Sequence, residues 1–108
     1  MTSTIQSEIQ KVVDKIVQEF HPEKVILFGS YANGTPHLDS DVDLFVVKDT
    51  NLPSLQRIEV LDRLFPRRPF AMDFLVYTPT QVRERVEMGD IFVQDVVKNG
   101  KVLYEHAG

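Results

Sequence analysis

Apolar positions along the chain fall into blocks of two periods. Over residues 3–20, Ile5, Ile9, Val12, Val13, Ile16, Val17 and Phe20 recur at three- and four-residue spacing. That spacing predicts an amphipathic helix, with Thr2 or Ser3 as its N-cap and His21-Pro22 as its end, because proline disfavours helical geometry in the residue before it. The short run Val25-Ile26-Leu27-Phe28 is wholly apolar and reads as a buried strand broken by Gly29-Ser30. Residues 31–40 contain Gly34, Pro36 and Asp39 and predict a short helical turn followed by a loop. Over 41–48 the period changes to two, with Val42, Leu44 and Val46 on one face and Asp41, Asp43, Phe45 and Val47 on the other.

The second half repeats these patterns. Residues 52–65 place Leu55, Ile58, Leu61, Leu64 and Phe65 at helical spacing behind a Pro53-Ser54 start. Pro66-Arg67-Arg68-Pro69 is a stiff connector into a third strand over 70–77, apolar except for Asp73. Thr78-Pro79-Thr80 opens a helix that runs to about Met88, with Gly89 as its C-cap. Asp90 opens a last helix carrying Ile91, Phe92, Val93, Val96 and Val97; Asn99-Gly100 closes it before a short strand over 101–104. Few strands, with helices to cover them and no repeat or linker, predict one α+β domain over 1–108.

Composition narrows the chemistry. The chain has 108 residues, with 12 Lys+Arg against 16 Asp+Glu, a net charge of −4 and a pI near 5.3. That balance argues against coating nucleic acid through bulk charge. With no cysteine, disulfides, thiolate metal sites and cysteine nucleophiles are excluded. There is neither a signal-like N-terminus nor an apolar run of membrane-spanning length, so a cytoplasmic location is expected.

The informative stretch is Phe28-Gly29-Ser30-Tyr31-Ala32-Asn33-Gly34 followed by Ser40-Asp41-Val42-Asp43-Leu44. Asp41 and Asp43, two apart on a strand, point their carboxylates to one face. Carboxylates held that close repel unless a proton or cation intervenes, and hard cations such as Mg²⁺ take oxygen ligands and share them with phosphates. A solvated strand face is the alternative, but Phe45 and Val47 continue the same face as apolar residues. Gly29-Ser30 leaves a strand and enters a helical turn, a geometry that offers N–H groups and a hydroxyl to an anion; an ordinary turn N-capped by Ser30 would look the same. It is not a P-loop, which needs Gly-Lys-Ser/Thr. Asp73 either lies in water or has a cation near it, since a buried unpaired carboxylate is costly.

Gly29-Ser30, ten intervening residues, then Asp41-Val42-Asp43 resembles the signature of the minimal nucleotidyltransferases (MNT domains) of the DNA polymerase beta superfamily. The resemblance is strongest over 22–77. It implies a small mixed sheet flanked by helices, in the polymerase-beta-like nucleotidyltransferase fold, and transfer of a nucleoside monophosphate from an NTP, usually ATP. By the family pattern Asp41, Asp43 and Asp73 would be catalytic and ligate one or two Mg²⁺. Asp73 would also help deprotonate the acceptor hydroxyl, and Gly29 and Ser30 would hold the triphosphate. Many members carry Arg where this chain has Asn33, so a phosphate contact is lost or comes from Lys48, Arg67, Arg68 or a partner.

Small members resemble the antitoxin half of HEPN–MNT toxin–antitoxin pairs. AMP transfer to a hydroxyl on a HEPN toxin protein is then the expected activity, in a homo- or hetero-oligomer without direct nucleic-acid or membrane contact. Two rivals stand beside it: an antitoxin that neutralises by contact alone, and a nucleotidyltransferase acting on a small molecule or RNA. His21, His37 and His106 form no metal-ligand spacing and are expected in solvent. Arg67-Arg68 reads as a solvated turn or an anion or partner contact, and Arg83, Glu84, Arg85 and Glu87 as the wet face of a helix.

Overall fold

The computed structural model describes residues 4–34 and 40–106. Among them run α1 (Thr4–Phe20), β1 (Lys24–Phe28), α2 (Ser30–Asn33), β2 (Val42–Val47) and α3 (Ser54–Leu64), then β3 (Met72–Tyr77), α4 (Pro79–Glu87), α5 (Ile91–Asn99) and β4 (Lys101–Glu105). The expected N-cap of α1 and the expected solvent-exposed His37 lie outside the described residues.

The strands form one mixed sheet in the order β3-β2-β1-β4, as expected of a small sheet flanked by helices. β1 pairs antiparallel with both β2 and β4, while β2 and β3 run parallel. β1 and β2 are the central strands. That position explains the unbroken Val25-Ile26-Leu27 run, because strands covered on both faces carry apolar residues at every place.

Alternation along β2 separates the two faces. Val42, Leu44 and Val46 join Met72, Phe74 and Val76 of β3 beneath α1 and α3, in a core with Ile9, Val13, Ile16 and Leu61. Phe45 and Val47 point the other way, into a smaller core with Ile26, Val93 and Val96, under α4 and α5. The first face is the back of the sheet and the second its front. No helix among the described residues is long and apolar enough to cross a membrane.

Several boundaries differ from the sequence expectation. Asp41 stands one place before β2, because the ladder begins where the Val42 N–H donates to the Ala71 carbonyl at 2.9 Å. Gly29, not Ser30, occupies the N-cap of α2 and makes no side-chain cap there. At α4 the Thr78 hydroxyl accepts from the Gln81 N–H at 3.1 Å and the Thr78 N–H donates to the Gln81 side chain at 2.9 Å, a complete capping box. Met88 is the C-cap there, and Gly89 follows it with φ 88°. Asp90 caps α5 through the Val93 N–H, as expected.

Two arginines meet the outer edge of β3. Arg57, on α3, is only 6% exposed; its Nη1 donates to the Val76 carbonyl at 3.2 Å and to Gln81 Oε1 at 2.9 Å, and its Nε donates to the Leu52 carbonyl at 2.6 Å. Arg68 donates through Nη1 to the Met72 carbonyl and pairs through Nη2 with Asp62.

Candidate active site

The expected site residues gather at one end of the sheet. In register, Phe28 of β1 stands opposite Asp43 of β2, and Asp43 stands opposite Asp73 of β3. Neighbouring strands lie about 4.8 Å apart, so the carboxylates of Asp43 and Asp73 are side by side on the front face. Asp41, just before β2, completes the group, with its carboxyl close enough to that of Asp73 for the two to share a proton.

Electrostatics record the crowding. Partial burial, then the charges of Asp73 and Asp41, push the Asp43 carboxyl above the usual carboxylate range. Asp73 is raised by desolvation first, then by the hydrogen bond and charge of Asp41, with Asp62 adding to the rise and the Arg68 guanidinium opposing it. Burial and neighbouring like charges both disfavour the ionised carboxylate.

Gly29 is fixed by two separate constraints. Its φ of 78° and ψ of −155° belong to a region that side-chain-bearing residues essentially do not enter. A Cβ built there would also collide with Asp43 Oδ2. The turn after β1 is thus pressed directly against the Asp43 carboxylate. Its carbonyl accepts from the N–H groups of Ala32 and Asn33, both at 3.1 Å, which leaves Ser30 and Tyr31 in the first turn of α2, where N–H groups have no intrahelical acceptor. Gly34 ends the turn in the left-handed conformation, with φ 74°.

The donor set suits a hard divalent cation: acceptor-only oxygens, mutual repulsion, and a glycine that keeps the space beside Asp43 clear. Among the described residues, no three acidic or histidine side chains already stand at the spacing of a closed metal shell. The convergence is electrostatic and topological.

The basic residues divide. Lys48 lies at the opposite end of β2, about 16 Å from Asp43 at strand rise, where its Nζ donates to the His21 carbonyl at 3.2 Å and sits 5.4 Å from the centre of the Phe20 ring. It cannot replace the contact absent at Asn33. Arg68 is near enough to act on Asp73 but is tied to Asp62 and the Met72 carbonyl, so it is neither a loose turn residue nor an open anion contact. Arg67, His21 and His106 are exposed, as are Arg83, Glu84, Arg85 and Glu87.

Enclosed space lies elsewhere. A cavity of about 370 Å³ is framed by Val17, His21, Lys48 and Tyr104 at the far end, and one of about 470 Å³ reaches Tyr31 and Gly34 from the α1 side. Neither includes the carboxylates. Asp41 and Asp73 are exposed and Asp43 is half-buried.

Sequence reading passed over the aromatic lining of this face. Phe28 and Phe45 flank Asp43, and the Phe92 ring lies 5.5 Å from that of Phe28 and 6.4 Å from that of Phe45. Phe92 looked like part of one apolar helix stripe. Val93 and Val96 alone define the buried side of α5, and Phe92 is one position, about 100°, out of phase with Val93.

A Gly-Ser turn packed against paired strand carboxylates, on a mixed sheet with helices behind it, defines a nucleotidyltransferase fold. Residues 10–107 match the family described as polymerase beta, nucleotidyltransferase, and the chain belongs to that family. A candidate protein adenylyltransferase of Methanocaldococcus jannaschii is 28% identical over 82 residues, which cover 76% of this chain and 78% of that protein. A crystal structure of a toxin–antitoxin with AMP-PNP superposes with TM-score 0.65 and 26% identity, over 91% of this chain and 74% of that one. The MntA–HepT toxin–antitoxin crystal structure, at 20% identity, has a chain of the same fold, with TM-score 0.61 over 94% of this chain and 73% of that one.

Proposed function

We propose that this protein is a Mg²⁺-dependent protein adenylyltransferase that moves AMP from ATP to a hydroxyl of a HEPN-type toxin. The observation that carries the reading is the row Phe28–Asp43–Asp73, with Asp41 beside it and Gly29 pressed against Asp43. The M. jannaschii relative's name supports the protein acceptor, and the AMP-PNP and MntA–HepT structures support the nucleotide and the partner.

Asp41 and Asp43 would hold the metal with Asp73, and the Gly29–Ser30 turn would hold the triphosphate. When bound, Mg²⁺ supplies charge neutralisation at the α-phosphoryl group and the departing pyrophosphate. Asp73 would also help take the proton from the acceptor hydroxyl. The acceptor oxygen then bonds to the α-phosphorus as the α–β bridging bond breaks and pyrophosphate leaves. The exposure of Asp41 and Asp73 suits a large acceptor, because the partner itself would exclude water.

The test is transfer of label from α-labelled ATP, with Mg²⁺, to a protein in a lysate of the source cell. A labelled band is expected from wild type and none from Asp41→Asn/Asp43→Asn; a band that survives the double change overturns the reading. A contact-only antitoxin is the second reading, favoured by Asn33 at the exposed end of α2, with Arg68 tied elsewhere. Neutralisation of the partner by the double variant would establish it.

A further inference from the structure

The phosphate-handling end of the site leaves open where the rest of a nucleotide lies. Behind the carboxylates the sheet is sealed by α1 and α3, so ribose and base must run along the front. The surface they meet there is aromatic. Phe28 directly precedes Gly29 and is the cross-strand neighbour of Asp43. Phe45 lies two residues beyond Asp43 on the same face and is fully buried, with its ring stacked 4.8 Å from that of Tyr77. Phe92, in the first turn of α5, meets Phe28 edge-on with an interplanar angle of 80° and remains 41% exposed. Its neighbours Ile91 and Met88 are 81% and 69% exposed and carry no charge.

We infer that the exposed Phe92 ring is the platform on which the nucleobase of the bound nucleotide stacks. This rests on the nucleotidyltransferase reading and deepens it by assigning the base subsite. Phe28 and Phe45 pack against the ring on its buried side, and Phe28 in turn neighbours Asp43, which puts the exposed ring on the same front face as the carboxylates. Stacking uses the π-face that every base possesses, so the platform itself does not tell one base from another. ATP and GTP should therefore bind with similar affinity, whereas a nucleotide should bind much more tightly than inorganic tripolyphosphate.

The chain contains no tryptophan, so Phe92→Trp installs a single fluorescent reporter at the proposed platform. With Mg²⁺ present, ATP is expected to quench it and tripolyphosphate to leave it unchanged. Phe92→Leu keeps apolar packing on Phe28 but removes the π-face. It should weaken ATP binding roughly 5- to 150-fold, the range for loss of one base–aromatic stack, and leave tripolyphosphate binding within about twofold. Wild-type binding of ATP that is unaffected by Phe92→Leu and gives no quenching overturns the platform alone. A Phe92→Leu defect confined to the acceptor protein's KM also overturns it, and makes the ring an acceptor contact. Failure of wild type to bind either ATP or tripolyphosphate overturns the nucleotidyltransferase reading and the platform with it.

Discussion

The back and the front of the sheet are built from the same two strands and obey opposite rules. On the back, each inward position of β2 and β3 is aliphatic or aromatic, and α1 and α3 close over it. On the front, Asp43 and Asp73 occupy two of the equivalent positions, and α4 and α5 cover only the part around Phe45 and Val47. The contrast separates stability from chemistry within one layer. The back is packed at the expense of any reactive group, and the front holds like charges together at the expense of stability. A single frame of reference, the pleat of β2, sets both.

The sharpest way to test that division is to relieve the front. Asp43→Asn should reduce AMP transfer by about a thousandfold or more, the scale of the charge stabilisation a metal supplies. The same change should raise the apoprotein's Tm by about 2–4 °C, because a repelling charge is removed. A fall in Tm would show that the carboxylates are not strained. Breaking the back should do the reverse. Leu61→Ala, at a site with no exposed surface, should cost roughly 2–5 kcal/mol in denaturant unfolding and remove activity only by removing the fold.

Gly29→Ala joins the two regions, since the turn that seals β1 also borders Asp43. A side chain at φ 78° should cost about 1–3 kcal/mol and displace the Asp43 carboxylate; if the proposed metal site holds, Mg²⁺ should raise the Tm of wild type and not that of this variant. The smallest effect expected is that of pH. The carboxyls of Asp43 and Asp73 are raised in the folded chain, so the native state binds protons more tightly than the unfolded one. Their contribution to stability is fully present below the ordinary carboxyl value and is lost as pH rises through the raised one. The apoprotein should gain Tm on going from about pH 7 to about pH 5, and Asp43→Asn should gain less. An equal gain in both would assign the effect to other groups.

Much of this was readable in the residues because alternation is a local property. The sequence places Val42, Leu44 and Val46 opposite Asp43, Phe45 and Val47, and the two cores follow that division. The Gly-Ser and Asp-x-Asp spacing likewise indicated the end of β1 and β2 at which the candidate residues come together. Strand order is not local: nothing in 70–77 says that Asp73 pairs with Asp43, and only the parallel β2–β3 register shows it. Asp41 was placed within β2 because period two does not reveal where a ladder begins. Arg57 was invisible for another reason. It sits among ordinary helix residues, and its burial depends on carbonyl groups 5 and 19 positions away. Phe92 was hidden by a helix whose apolar residues cover more than one face.

The arginines along β3 have a consequence for how this molecule meets its own copies. β3 ends the sheet, and its pairing with β2 directs the main-chain groups of Met72, Phe74 and Val76 to the outer border, while their side chains stay in the core. Arg68 occupies the Met72 carbonyl and Arg57 the Val76 carbonyl. An incoming strand would have to displace two guanidinium groups, one of them buried, before it could extend the ladder. Bordered in this way, the β3 edge is guarded against extension into intermolecular β-structure, next to the apolar strands the core requires.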